Sequence, residues 1–123
     1  MYGIFVHQNR YIRYADLIAR GYKTIETRNR NTLKSLVGKR VAIVRTESGK
    51  RPCVVGYADI ARSAFCKACD FQNYNSAHCV PPGSKYDCNG KGKWFYYMTN
   101  AEACAPFLLP KGAVYHGRSF CEF

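Results

Sequence analysis

Most hydrophobic positions of this chain fall in short runs rather than in a helical rhythm. Residues 41–44 form a continuous apolar run, which predicts a strand that is buried on both faces. Several other runs are rich in β-branched or aromatic residues and are bounded by Gly, Pro, Asn or charged residues, as is typical of strands. The predicted strands cover residues 3–6, 23–28, 41–44, 53–58, 94–98, 113–116 and 119–123.

One segment near the start has a helical period instead. From Tyr11 to Ile18 the apolar residues recur at i, i+3, i+4 and i+7, which places them on one face of a helix. Asn9 is a suitable N-cap, and Gly21 stands where a helix end favours a left-handed residue. We expect shorter helical turns at residues 33–36, 65–71 and 100–104.

The order of these elements predicts the fold class. A Gly-containing loop at residues 47–52 joins two predicted strands, which indicates a hairpin, and Pro106 and Pro110 are expected to bracket a later loop. The sequence has no internal repeat and no long linker, so we expect one domain over residues 1–123. Strands around one N-terminal helix predict an α+β, mostly β fold: a small, closed or nearly closed β-barrel with short additional helices.

Charge is the strongest signal in the composition. Nineteen Lys and Arg residues against eight Asp and Glu give a net charge of +11, and such a field attracts polyanions. We therefore expect RNA or a nucleotide-like ligand as partner; the alternative is a solvated basic surface with no partner. Basic residues mix with Gly and aromatic residues around 45–51 and 85–94, a combination suited to phosphate contacts and base stacking. The candidate nucleic-acid-binding residues are Arg28, Arg30, Arg45, Lys50, Arg51, Lys85, Lys91, Lys93 and Arg118.

The seven cysteines are an odd number in a sequence without a visible export signal. No apolar run reaches the roughly 18 residues that a membrane span needs, so we predict a cytoplasmic protein with free thiols, no membrane association and no obligate protein partner. A zinc site is a weaker hypothesis, because buried free cysteines are common. Its candidate ligands are Cys66, Cys69, Cys79 and Cys88.

A cluster of reactive side chains lies on the second predicted strand. Alternate residues of a strand share a face, so Thr24, Glu26 and Arg28 are expected to point the same way. Arg28 could hold a phosphate, Glu26 could act as a general base, and Lys23 could stabilise an oxyanion or act as a base when desolvated. We therefore take Lys23, Thr24, Glu26 and Arg28 as catalytic candidates. The alternative is a simple ion pair between Glu26 and Arg28 on a solvated strand face.

Residues 14–60 carry a family resemblance. The predicted helix is followed by Gly21-Tyr22-Lys23-Thr24-Ile25-Glu26 and Arg28, and then by Gly38 to Ile43 and Val55 to Ala58. This order of motifs resembles the ASCH family of the PUA-like superfamily. The resemblance implies a pseudo-barrel with a cleft beside the N-terminal helix and an association with RNA.

The resemblance also implies three functional outcomes. Some family members look like divalent-metal-dependent ribonucleases, others only bind nucleic acid, and a smaller branch consists of amidohydrolases that cleave N4-acylated cytidine. That branch places a Thr nucleophile where this chain has Glu26. We therefore predict an RNA-binding protein, with ribonuclease activity and a divalent metal as an extension and the amidohydrolase as the alternative. Further ribonuclease candidates by residue type are Tyr57, His78 and His116.

Overall fold

The computed structural model describes all 123 residues and contains one seven-stranded sheet. The strands lie in the order β2-β5-β4-β3-β1-β7-β6, with β1 and β3 parallel and all other pairs antiparallel. None of the helices is long and apolar enough to cross a membrane. The elements are β1 (Tyr2–His7), α1 (Tyr14–Ala19), β2 (Ile25–Arg28), a 3₁₀ turn (Lys34–Leu36), β3 (Arg40–Thr46), β4 (Cys53–Cys66), a 3₁₀ helix (Ala68–Tyr74), α2 (Asn75–His78), β5 (Lys93–Leu108), β6 (Val114–His116) and β7 (Phe120–Glu122).

Strand β3 lies at the centre of the fold, as its continuous apolar run predicts. The side chains from Val41 to Val44 are all fully buried, because the sheet is covered on both faces. A cluster of 20 buried residues fills one side, including Ala15 and Ile18 of α1. A smaller cluster of six residues, among them Val54, fills the other side. The helix therefore seats against the larger core and fixes one wall of the site described below.

Helix α1 is shorter than its periodicity predicts. Asn9 does not cap it; the Asn9 side chain instead accepts hydrogen bonds from the backbone N–H groups of Tyr11 and Ile12, at 2.8 and 2.9 Å. Asn side chains often compete with a helix in this way by closing a local turn. The helix begins at Tyr14, and Gly21, with φ of +80°, follows its end as expected.

Strands β4 and β5 are much longer than the sequence indicates, and two local predictions are wrong. Residues 100–104 are strand rather than a helical turn, and Pro106 lies inside β5 rather than in a loop. Both sit at irregularities of the β4–β5 ladder, where the register shifts between the paired residues. Asn100 takes a positive φ of 52° at one of them. Bulges of this kind absorb an extra residue and admit a Pro without ending the strand.

The predicted helical turn at residues 65–71 also begins late. Strand β4 continues through Phe65 to Cys66, where both residues pair with β5. The helical segment starts at Ala68 and continues into α2. Pairing with the aromatic strand β5 therefore overrides the local preference at Phe65.

The mostly-β architecture with few helices is confirmed, whereas a closed barrel is not. Strands β2 and β6 are the two edges of the sheet and do not pair with each other. The sheet nevertheless curves strongly. Arg28 of β2 donates from Nη2 to the carbonyl oxygen of Phe5 on β1 at 2.7 Å, although β5, β4 and β3 lie between these strands in the sheet order. This curvature leaves a cleft between β1, α1 and β2.

Candidate functional site

The cleft has a volume of about 670 Å³ and takes its walls from several separate segments. Strands β1 and β2 face each other across it, α1 contributes one residue, and the loop before β5 closes one side. The lining residues are Phe5, His7, Tyr14, Lys23, Glu26, Thr27, Arg28, Asn29, Thr46, Val80, Tyr86, Lys93 and Arg118.

Lys23 lies at the base of the cleft and is almost fully buried, with 1% of its surface exposed. Its Nζ donates a hydrogen bond to the carbonyl oxygen of His78, and lies 3.8 Å from Glu26 Oε1 and 4.7 Å from the centroid of the Tyr14 ring. Burial lowers the pKa of Lys23 because it penalises the charged ammonium, while the neighbouring Glu26 carboxylate acts in the opposite direction. Lys23 is thus a desolvated amine beside an acid.

Glu26 and Arg28 form an ion pair inside the cleft, not on a solvated strand face. Glu26 Oε2 accepts hydrogen bonds from Arg28 Nε at 3.2 Å and from Arg28 Nη2 at 3.0 Å, and Glu26 is only 7% exposed. Glu26 Oε1 accepts from the backbone N–H of Thr27 at 3.2 Å. With Lys23 on its other side, the carboxylate is held between two cations. It therefore orients Arg28 more readily than it could take up a proton from a substrate.

Thr24 does not join this group. It precedes the first residue of β2, is exposed and does not line the cleft, whereas Thr27 does. The expected alternation holds for Glu26 and Arg28, which lie inside the strand. It does not extend to Thr24, because the regular pairing of β2 with β5 begins only at Ile25.

Tyr14 brings a polar group without a partner to the cleft wall. Its hydroxyl is buried and makes no hydrogen bond within the protein. Burial raises the pKa of Tyr14 to about 12, and the nearby Cys79 and Glu26 act in the same direction. The hydroxyl therefore stays protonated, and a buried phenol of this kind is a donor for a ligand.

The charge of the cleft is strongly positive. Four basic side chains, those of Lys23, Arg28, Lys93 and Arg118, line it against the single acid Glu26. Lys93 is 6% exposed, and burial lowers the pKa of this lysine too. Such an arrangement favours an anionic ligand.

A second basic depression, of about 490 Å³, adjoins the cleft. The two cavities share Asn29 and Lys93, so they are continuous along one surface. Most of its charge comes from side chains proposed as nucleic-acid contacts from the sequence, with Asp87 as the one acid. Its lining comprises Asn29, Arg30, Lys85, Asp87, Cys88, Asn89, Lys91, Gly92 and Lys93.

The basic residues around the β3–β4 hairpin do not join this surface. Arg45 lies 3.6 Å from Glu47 and 3.8 Å from Asp16, and Lys50 lies 3.2 Å from Glu47. Arg51 is exposed and lines neither cavity. These three candidates therefore lie apart from the cleft, and two of them are already paired with acids.

The histidines and Tyr57 contribute little to the cleft, with one exception. His78 is fully buried; its Nδ1 accepts from Val80 N at 2.9 Å, so its Nε2 carries the hydrogen and donates to the Phe71 carbonyl oxygen at 2.9 Å. Burial lowers the pKa of His78, which fits this neutral packed imidazole. The exception is His7, which lines the cleft and which the sequence reasoning missed. Neither His116 nor Tyr57 lines the cleft.

The cysteines do not assemble a metal site. No group of three or more His, Cys, Asp or Glu side chains is close enough to hold an ion. Cys66 is buried and Cys69 exposed, while the Cys79 thiol lies against the carbonyl oxygens of Tyr22 and Ser76. The four candidate ligands are therefore not gathered as the zinc hypothesis requires.

The donor set of the cleft does not fit a resident divalent cation either. Mg²⁺ and Ca²⁺ prefer several oxygen ligands, usually with more than one carboxylate. The only carboxylate here is Glu26, and it is already engaged by Arg28 and Lys23. The surrounding cations would repel a further positive ion, so no step below is routed through a metal.

The residues that sequence reasoning missed lie far apart along the chain. His7, Tyr14 and Tyr86 meet only after the sheet has curved, and the Tyr14 and Tyr86 rings approach to 5.9 Å between centroids. Tyr14 was assigned to the buried helix face, and its position is indeed buried. Nothing in the periodicity indicates that its hydroxyl faces a cavity.

The comparisons with known proteins locate this architecture. No family model matches the sequence, and no curated protein matches it. Three crystal structures of an ASCH protein from Zymomonas mobilis are similar. A mutant with Ser replaced by Ala gives a TM-score of 0.72 at 17% identity, covering 96% of this chain and 85% of that one.

A second mutant, with Tyr replaced by Phe, gives a TM-score of 0.67 at 18% identity over 87% of this chain and 76% of that one. The ASCH structure without a stated mutation gives 0.68 at 17% identity over 87% and 73%. At this level of identity the agreement concerns the backbone and its topology. This chain therefore has the ASCH fold.

Proposed function

We propose that this chain is an ASCH-family protein that binds single-stranded RNA along the cleft and the adjoining basic depression. The observation that supports this proposal most directly is the continuity of the two cavities. Lys93 lies between them, and basic side chains line both. A single nucleotide would need only the cleft, whereas a surface of two joined cavities suits successive phosphates of a strand.

Arg28 is the best-prepared phosphate ligand of the cleft. Glu26 and the carbonyl oxygen of Phe5 hold its Nε and Nη2, so the guanidinium is fixed in place. Its Nη1 makes no hydrogen bond to the protein and can donate to a phosphate oxygen. A fixed guanidinium loses little side-chain entropy on binding, which favours Arg over a mobile Lys at this position.

Ribonuclease activity is an extension of the same proposal. Cleavage at a ribose needs a base near the 2′-OH and a cation near the phosphate. Lys23, with its pKa lowered by burial, is the candidate base, and Arg28 is the candidate cation. His78 is unsuited because both of its ring nitrogens are already hydrogen-bonded.

The alternative is an amidohydrolase that acts on N4-acylated cytidine or a related nucleoside. One observation favours it: the desolvated Lys23 and the side chain of Thr27 line the same cleft. The departure at Glu26 counts against it, because the acid stands where that branch has its nucleophile. Release of the acyl group from N4-acetylcytidine by the wild type, and its loss in Thr27→Val, would favour this alternative over RNA binding.

Fluorescence anisotropy with a labelled single-stranded RNA of eight uridines, measured across a salt series, tests the proposal. We expect the double variant Lys85→Ala/Lys91→Ala to weaken binding and to reduce the salt slope by about 2, since each lost phosphate contact removes about one unit. Lys34→Ala/Lys111→Ala is the matched control, because it removes the same charge from exposed residues that line neither cavity. Its slope should stay at the wild-type value.

Two results would contradict the proposal. Absence of binding by the wild type at low salt would exclude an RNA site, and equal losses in both double variants would indicate attraction by net charge alone. The RNA is analysed for cleavage after each titration. Products that disappear in Lys23→Met would extend the proposal from binding to catalysis.

A further inference from the structure

Phe65, near the end of β4, is a large apolar side chain in an unusual position. Its ring is 54% exposed and lies 5.5 Å from the ring of Trp94, edge to face at 67°. Single exposed apolar residues are common on protein surfaces and carry no meaning by themselves. The neighbours of Phe65 are what single it out.

The sheet connects Phe65 directly to the cleft. Trp94 of β5 pairs with Arg28 of β2 on one side and with Phe65 of β4 on the other, so the three residues form one rung across the sheet. Neighbouring strands lie about 4.8 Å apart, which puts the backbone of Phe65 about 10 Å from that of Arg28. The rung therefore begins at the phosphate ligand proposed above and ends at an exposed aromatic ring.

Gly92 brings the same ring to the edge of the basic depression. A Cβ at Gly92 would collide with the far end of the Phe65 ring and would approach the Cys66 carbonyl oxygen to 2.8 Å. Gly92 itself lines the depression, beside Lys91 and Lys93. Phe65 thus packs over a residue of the depression wall, and its exposed part borders a surface with a strong positive charge.

We propose that Phe65 stacks an unpaired base of an RNA strand whose phosphates lie in the depression. This inference rests on the proposed RNA binding and adds to it a site for a base. Every nucleobase has a π-face, so an aromatic ring beside phosphate-binding cations holds single strands without regard to sequence. Trp94, half-buried at the edge of Phe65, holds the ring in its orientation.

The anisotropy assay with eight uridines tests the stacking through Phe65→Leu. The change removes the ring but no charge, so affinity should fall about 5-fold or more at every salt concentration, with an unchanged salt slope. The control is Phe107→Leu, at the opposite end of the β4–β5 ladder. Phe107 is 41% exposed but pairs with Val54 and lines neither basic cavity.

A second readout needs no variant. Trp94 is the only tryptophan of the chain, and a base stacked on the adjacent ring should change its fluorescence when RNA is added to the wild type. Phe65→Tyr keeps an aromatic face, so it should retain both the affinity and the fluorescence change.

The outcomes separate the two proposals. Wild-type affinity in Phe65→Leu, or an unchanged Trp94 signal on RNA binding, would overturn the stacking site and leave RNA binding intact. Equal losses in the Leu and Tyr variants would also overturn it, because the aromatic face would then not matter. Absence of RNA binding by the wild type would overturn both proposals.

Discussion

Two tyrosines of the core differ in one hydrogen-bonding group. The Tyr96 hydroxyl donates to Asn31 Oδ1 at 2.6 Å and accepts from the backbone N–H of Leu33 at 3.2 Å. The Tyr14 hydroxyl has no partner, although it is equally enclosed. A buried polar group without a partner costs free energy that a ligand can recover. We therefore expect Tyr14 to serve binding and Tyr96 to serve stability.

This contrast predicts opposite effects on the free energy of unfolding. Tyr14→Phe should leave it unchanged or raise it by up to about 1 kcal/mol, because no hydrogen bond is lost. Tyr96→Phe should lower it by about 1–2 kcal/mol, because Asn31 and Leu33 lose their partner. Urea denaturation of both variants checks this, and a larger loss in Tyr14→Phe would show that its hydroxyl is satisfied in the folded protein.

The buried Lys23 predicts a dependence of stability on pH. Burial places its folded-state pKa below its ordinary value of 10.5. Between these two values the unfolded chain holds a proton that the folded chain has lost, so stability from this group rises with pH. The advantage of Lys23→Met over the wild type in unfolding free energy should therefore shrink as pH approaches 10.5. A difference between the two proteins that does not change from pH 7 to 10 would contradict a lowered pKa.

The sequence identified part of the site at this scale. Lys23, Glu26 and Arg28 are close in the chain, and strand alternation with the motif order was enough to group the last two. Tyr14 and His7 escaped because they reach the cleft through the curvature of the sheet, which no local pattern encodes. Thr24 was included wrongly in the face because β2 begins one residue later.

At the scale of elements, the seating of α1 on β4 positions the cleft wall. Gly56 of β4 leaves room for this contact: a Cβ there would lie 2.7 Å from the Cβ of Ala19 and 2.5 Å from the carbonyl oxygen of Glu102. Neither neighbour is a flexible side-chain end. Any side chain at position 56 would therefore push the helix or strand β5 outward.

Gly56→Ala should accordingly destabilise the fold by about 1–3 kcal/mol, as is usual for overpacking in a core. Gly112→Ala is the matched control, because a Cβ at Gly112 meets nothing within 4 Å and its φ is not positive. Its stability should be unchanged or slightly higher. Thermal unfolding of both variants tests this, and equal stabilities would show that the helix can move without cost.

The strands were predicted better than their lengths. Continuous apolar runs and aromatic runs located β1, β3, the start of β4 and the start of β5, because burial on a sheet determines those positions. The far half of β5 was missed because its residues are mostly exposed and include Asn100 and Pro106, which act as breakers in isolation. Pairing with β4 through bulges accommodates both residues, and this long-range pairing is invisible in the local sequence.

For the whole molecule, the curved open sheet and the positive charge act together. The net charge of +11 was evident from composition, but its distribution was not. Folding pairs Arg45 and Lys50 with acids and leaves Lys85, Lys91 and Arg118 along the two joined cavities. Composition thus predicted an anionic partner, and only the fold indicates which surface would meet it.

The most direct test of RNA binding in this cleft is a ¹⁵N–¹H correlation spectrum of the wild type during titration with the eight-uridine strand. The account predicts that amide signals of residues 23–30 and 85–94 shift in proportion to the RNA added. Signals of residues 103–108, at the far end of β5, should stay in place. Shifts confined to that far end, or none at low salt, would contradict an RNA site in the cleft.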